Sequence, residues 1–276
     1  PFTINFGPQD VRVTTRIDEN NFNEMLWSCI HEGGHALYEQ GLAPENYGLP
    51  SGETISLGIH ESQSRLWENN IGRGLPFWNA QYPKLQMLFS ENLKEVSVIS
   101  FYKAINQVKP SLIRTNADEL TYHTHVMIRF ELEKALIQGT IQVSQLPEYW
   151  KAKYKEYLGI DVPDDTQGVL QDVHWSHGSF GYFPTYSLGS FYAAQFYAQA
   201  VKDIPGLEKG IENGNTLPLL TWLRDKVHRH GRFFTAEELC INITGEKLNF
   251  NYFMQYAQKK YTGIYQLNSP ELRSKA

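Results

Sequence analysis

Residues 22–41 read Phe-Asn-Glu-Met-Leu-Trp-Ser-Cys-Ile-His-Glu-Gly-Gly-His-Ala-Leu-Tyr-Glu-Gln-Gly. Within them, His31-Glu32-Gly33-Gly34-His35 has the spacing H-E-x-x-H. On a helix, residues four apart share a face, so His31 and His35 can reach one metal ion with Glu32 beside it as a general base. A helix is expected here on other grounds as well. Phe22, Leu26, Cys29, Ile30 and Leu37 recur at helical spacing, Asn20 or Asn21 can cap the start, and Gly41 can end it. Two interior glycines cost helix propensity, about 1 kcal/mol each, which points to close packing or substrate approach. The expectation from this stretch is a zinc hydrolase; the bland alternative is two satisfied histidines on an ordinary amphipathic helix.

A catalytic zinc takes three protein ligands and keeps one position open. His60-Glu61-Ser62-Gln63-Ser64 offers the third, with Glu61 placed 26 residues after His35 beyond a Gly/Pro/Asn-rich loop over 41–54. His60 competes, but adjacent helix positions point about 100° apart, so only one of the two faces the metal directly. Otherwise Glu61 is a solvated surface carboxylate. Glu68, two turns on, is a candidate partner for a metal-binding histidine.

The rest of the chain sets bounds. It has 276 residues, a net charge of −5, 41% hydrophobic and 13% aromatic residues, enough for one large core or two domains. Mild acidity argues against a nucleic-acid partner. Cys29 and Cys240 are too few for a disulfide framework, which fits a reducing compartment. Residues 173–201 lack Asp, Glu, Lys and Arg, yet their histidines, glycines, Pro184 and polar residues fit a buried or cleft-lining segment better than a membrane span.

Alternation over 10–17 reads as a half-buried strand, with Val11, Val13, Thr15 and Ile17 on one face. A second helix is expected from about Ser56 to Ile71, with Leu57, Ile59, Leu66 and Trp67 facing the core. Pro76 and Pro83 break the next stretch, and helices resume over 83–107. Residues 116–138 form a strong helix with Asn116 or Asp118 as cap and Leu120, Met127, Ile128, Phe130, Leu132 and Leu136 as the apolar set. Arg129 then pairs with Glu133 at i,i+4. Further helices are expected from Pro147 to Leu158, over 184–202 and 216–229, and twice near the end. His123 and His125 pack or cap rather than bind metal. The class is mainly α with one small sheet.

Several segments together resemble the thermostable carboxypeptidase family typified by carboxypeptidase Taq. Pro1-Phe2-Thr3 is similar to the end of its His-Pro-Phe element, and Asp10-Val11-Arg12-Val13-Thr14 to its Asp-x-Arg-x-Thr element. His31–His35 and His60–Ser64 resemble its two metal segments. Ile113-Arg114-Thr115-Asn116-Ala117-Asp118 and Gly168-Val169-Leu170-Gln171-Asp172-Val173-His174-Trp175 resemble two further signatures. The resemblance implies a helical zincin-type body with a deep active-site groove and a small β element near the site. It also implies zinc or cobalt held by His31, His35 and Glu61, with Glu32 as base. Members are typically cytoplasmic homodimers acting on peptides. They are also longer, so residues 1–276 are expected to be a single catalytic domain, the C-terminal part of a longer chain without its N-terminal helical portion.

A carboxypeptidase needs a cation for the substrate's terminal carboxylate, and a guanidinium fork pairs with it bidentately. Arg114 is the first candidate and Arg12 the second; the alternative for Arg114 is a helix-flanking salt bridge. In related zinc peptidases a His and a Tyr stabilise the oxyanion, and here His174, Tyr182 and Tyr186 are the candidates, with the two tyrosines undecided and aromatic packing as the alternative. The expected reaction is removal of single residues from peptide C-termini. The alternatives are an endo-acting zinc oligopeptidase and a metal-binding, catalytically incomplete fragment.

Overall fold

A computed structural model describes residues 1–267. It opens with an antiparallel hairpin, β1 (Phe2–Gly7) and β2 (Asp10–Thr14), paired Thr3 to Val13 and bulged between Asn5 and Gly7. Helices follow as α1 (Phe22–Glu39), α2 (Leu57–Arg65), α3 (Leu75–Leu88), α4 (Ser90–Leu93), α5 (Val98–Ile105), α6 (Thr121–Ile137) and α7 (Leu146–Leu158). The chain continues with α8 (Pro184–Asp203), α9 (Leu207–Glu212), α10 (Leu217–Lys226), α11 (Ala236–Thr244) and α12 (Asn251–Tyr265). The mainly α class with a small sheet is therefore what the chain adopts. No helix among the described residues is long and apolar enough to cross a membrane.

The described residues divide into two compact units, one of residues 1–105 and 188–267, the other of residues 106–187. In the first, Tyr38, Ile59, Leu66, Phe196, Leu219 and Leu239 are central members of the main core. The helices that carry His31 to His35 and Glu61 both start where the sequence places them. Asn21 accepts from the Glu24 N–H to cap α1, and Ser56 accepts from the Ile59 N–H to cap α2. The two helices come close at Gly34, where a Cβ would lie 2.6 Å from Ser64 Cα. After Arg65 the helix widens into a π-helical stretch, Leu66–Gly72, that buries Glu68. Such widened turns rotate the following residues relative to an α-helix and are frequent at functional sites.

In the second unit, Ile128, Leu132, Trp150 and Tyr154 are buried between α6 and α7. Asp118 starts α6: its carboxylate accepts from the N–H groups of Leu120 and Thr121.

Several expectations need correction. The strand ends at Thr14, and Ile17 is largely exposed. Strand β1 and helix α9 were not expected. Pro83 lies inside α3 rather than breaking it; the carbonyl its missing N–H leaves unbonded belongs to exposed Asn79, where water can serve. Cys29 and Leu57 face outward, and so do Met127 and Phe130 on α6. The face α6 buries instead carries His125, Arg129 and Glu133, each held by a partner far away in the chain.

Candidate metal centre

Helix α1 presents His31 and His35 to Glu61 of α2. Nε2 of His31 lies 3.8 Å, and Nε2 of His35 3.5 Å, from Glu61 Oε2. One ligand atom from each of the three residues falls within 4.8 Å of the others, the one such group among the described residues. Tetrahedral zinc with bonds near 2.0–2.2 Å keeps its ligand atoms about 3.4 Å apart, so the spacing suits an ion between them.

Each donor is oriented from behind. His31 Nδ1 meets Glu68 Oε2 at 2.9 Å, which places its proton on Nδ1 and leaves Nε2 bare. Arg65 donates through Nε to Glu61 Oε1 at 2.7 Å and through Nη1 to Glu68 Oε2 at 3.0 Å. That engages one oxygen of Glu61 and turns the other toward the histidines. Behind Glu61 stands α8, where Gly189 has no Cβ; one placed there would lie 2.7 Å from Glu61 Cβ.

Burial alone would raise the Glu61 and Glu68 carboxyls, but Arg65 and the histidines more than offset it. Glu68 is pulled down to about 2 and Glu61 lower still. His31 is depressed by burial and raised by Glu61 and Glu68, ending above its ordinary value. His35, with burial dominant and His31 adjacent, ends below.

Glu32, 8% exposed, turns its carboxylate to the hairpin, where the Thr3 hydroxyl donates to Oε2 at 2.7 Å. His60 sits behind His35 with Nδ1 to Nδ1 at 2.5 Å, and its Nε2 reaches Glu39 at 2.7 Å. It stands beside the cluster, not in it.

The sequence predicted four substrate residues in the second unit. There Arg114 is buried, with Nε and Nη2 on Asp172 Oδ1 at 3.0 and 2.7 Å and Nη1 on the Tyr122 hydroxyl at 2.7 Å. Its guanidinium lies 4.6 Å over the Tyr186 ring. The fork that was expected to await a carboxylate already holds one. Arg129 is not the partner of Glu133: it donates to Asp172 Oδ2, while Glu133 accepts from Trp175 Nε1 and the Gly181 N–H. His174 and Tyr186 are joined at 2.8 Å, and the Tyr182 ring packs 5.3 Å from that of His174. Burial, and after it Arg114, lowers His174 to about 4, so its imidazole is neutral. His123 and His125 bind Ser187 and Tyr154, as packing histidines. Arg12, the second carboxylate candidate, is exposed and paired with Asp10.

The profile of the carboxypeptidase Taq (M32) metallopeptidases matches residues 1–261. The chain belongs to this family. It is 47% identical over 265 residues to thermostable carboxypeptidase 1 of Thermus thermophilus, covering 96% of this chain and 52% of that one. Carboxypeptidase 1 of Bacillus subtilis is 44% identical over 267 residues, 97% of this chain and 53% of that one. The crystal structure of the M32 carboxypeptidase of Deinococcus radiodurans superposes with a TM-score of 0.94 at 44% identity, over 96% of this chain and 54% of that chain. The chain thus spans about half the length of the curated relatives it matches.

Membership in a metallopeptidase family implies a divalent metal, and the donor cluster of α1 and α2 fits one. The sequence reading missed Thr3, Glu39, Arg65 and Gly189. Arg65 carried a signal, lying four residues after Glu61 on the same helix face. Gly189 carried a weaker one, a glycine inside an uncharged helical run. Thr3 and Glu39 became visible only once the hairpin was seen to lie on α1.

Proposed function

We propose that this chain is the metal-binding catalytic part of a zinc-dependent carboxypeptidase that releases single residues from peptide C-termini. One observation carries the reading: three donor atoms converge, their lone pairs preset by Glu68 and Arg65, with the Glu32 carboxylate next in sequence. Two imidazoles and one carboxylate suit zinc, and cobalt accepts the same set. When bound there, the ion supplies Lewis acidity, polarising the scissile carbonyl and acidifying water.

The chain's own residues do the rest. Glu32 is the general base. Its Oε2 is held by Thr3, which leaves Oε1 to take the proton of the attacking water and return it to the leaving amine nitrogen. His174 is neutral and joined to Tyr186, and with Tyr182 it is the proposed source of donors to substrate oxygens. Arg114, engaged by Asp172 and Tyr122, acts in this proposal by fixing the Tyr186 ring. The cytoplasmic location and homodimer implied by the family resemblance belong to the same proposal.

The test pairs metal content with turnover. Glu32→Gln is expected to keep one zinc per chain and lose activity by at least about a hundredfold, as removal of a general base does. His31→Ala is expected to lose the zinc. Full activity in Glu32→Gln would remove the base from this reading, and zinc retained in His31→Ala would remove the site.

A further inference from the structure

His35 has a partner at each ring nitrogen. Nε2 faces Glu61, and Nδ1 faces His60 Nδ1 at 2.5 Å. Between two imidazole nitrogens only one can donate, so the pair is defined by which ring carries the proton. The next link decides it. His60 Nε2 lies 2.7 Å from Glu39 Oε1, and an ionised carboxylate only accepts, so His60 carries its proton on Nε2. In a neutral His60 ring Nδ1 is then a bare acceptor, so His35 carries its proton on Nδ1 and its Nε2 lone pair is aimed at the cluster.

Glu39 is itself oriented. The Asn5 side-chain amide donates through Nδ2 to Glu39 Oε2 at 2.6 Å, while its Oδ1 accepts from the Gly7 N–H at 2.7 Å. Gly7 is buried at the β-bulge, so turning the Asn5 amide would strand that N–H. Glu39 Oε2 therefore faces a fixed donor.

We propose that Glu39 and His60 are positioning residues that set the tautomer of His35 for the metal, in a chain anchored by Asn5. The inference rests on the metal centre proposed above. It gives the His of the second metal segment a role other than ligand: His31 is oriented directly by a carboxylate, His35 by a carboxylate acting through a second imidazole. Partners of this kind typically change metal affinity about 10–100-fold when altered.

The orientation of Asn5 makes the chain testable with an isosteric change. In Glu39→Gln, the side-chain oxygen must meet the fixed Asn5 amine, which turns the new amide nitrogen toward His60 Nε2. His60 then carries its proton on Nδ1, pointing at the Nδ1 proton of a metal-binding His35. Zinc affinity, measured by chelator competition on the 276-residue chain, is expected to fall about 10–100-fold in Glu39→Gln. In the metal-free variant, histidine 15N shifts are expected to show the His35 proton moved from Nδ1 to Nε2. Asn5→Ala alone is expected to bind zinc more tightly than Glu39→Gln, because Glu39 remains an ionised acceptor for His60 Nε2. Asn5→Ala/Glu39→Gln is expected to recover most of the lost affinity, because the introduced amide is then free to turn its oxygen to His60. A role limited to packing predicts no such recovery.

The inference is overturned by wild-type zinc affinity in Glu39→Gln, by an unmoved His35 proton, by a double variant no better than the single one, or by Asn5→Ala being as damaging as Glu39→Gln. His31→Ala in the same titration separates the two levels. Zinc lost there with Glu39→Gln unaffected removes only the positioning chain; zinc retained there removes the metal centre, and the inference with it.

Discussion

The two glycines of His31-Glu32-Gly33-Gly34-His35 differ in what an added methyl group would meet, and this sets opposite signs on two neighbouring substitutions. At Gly33 a Cβ would find nothing within 4 Å. Gly33→Ala should therefore show only the helix-propensity gain, about 0.5–1 kcal/mol of added stability. At Gly34 the Cβ would lie 2.6 Å from Ser64 Cα and 2.7 Å from the Gln63 carbonyl oxygen. Ordinary contact begins near 3.4 Å, so α1 and α2 would have to separate by about 0.8 Å. Both atoms are backbone, and no side chain can swing aside. Overpacking of this kind costs about 1–3 kcal/mol, which exceeds the propensity gain. Gly34→Ala should thus be less stable than Gly33→Ala by about 1–3 kcal/mol. The same displacement carries His31 and His35 away from Glu61, so zinc affinity should fall in Gly34→Ala alone. Equilibrium urea unfolding of the metal-free proteins, followed by zinc titration, measures both. Equal stability of the two variants, or a more stable Gly34→Ala, would refute the close helix approach.

Three other outcomes follow from the contacts. Gly189→Ala should weaken zinc binding with little change in secondary structure by circular dichroism, because its methyl group meets the side chain of Glu61. Asp172→Asn should destabilise the protein by about 3–5 kcal/mol in chemical denaturation, since buried Arg114 and Arg129 both lose their counter-ion. His228 is fully buried and lowered to about 3, chiefly by burial and then by Arg224, with Nε2 on Gln63. Between pH 6.5 and 3 the unfolded state binds the proton and the folded state does not, so stability falls as pH falls, by about 1.4 kcal/mol per unit for this group. Replacing it in His228→Asn should reduce the slope of unfolding free energy against pH by about that amount.

What could be read from the sequence was local. The H-E-x-x-H spacing, the Asn21 cap and the Ser56–Ile71 helix depend on neighbours a few residues apart, and all appear where periodicity and capping put them. What could not be read depends on partners brought together by the fold. Arg129 has Glu133 one turn away but binds Asp172, 43 residues on, because burying both Arg114 and Arg129 requires a shared carboxylate. The apolar residues of α6 misled for the same reason: a satisfied ion-pair network lets its charged face turn inward and leaves Met127 and Phe130 outside. At the candidate metal centre, residue types and spacing singled out His31, His35 and Glu61, which the fold brings together, and Arg65 lay within reach of Glu61 on the same helix, whereas the Glu39–His60 contact and the Thr3 hydroxyl on Glu32 emerge only from the packing of α2 and the hairpin on α1.

In the proposed reaction, zinc held by His31, His35 and Glu61 serves a hydrolase acting at a free peptide C-terminus. The most direct measurement is mass spectrometry of one peptide, as the free acid and as the C-terminal amide, incubated with the zinc-loaded chain and with Glu32→Gln. A ladder of single-residue losses from the free acid alone, abolished in Glu32→Gln, is the predicted result. Internal cleavage of the amide, a ladder that survives Glu32→Gln, or no cleavage of either peptide would contradict it.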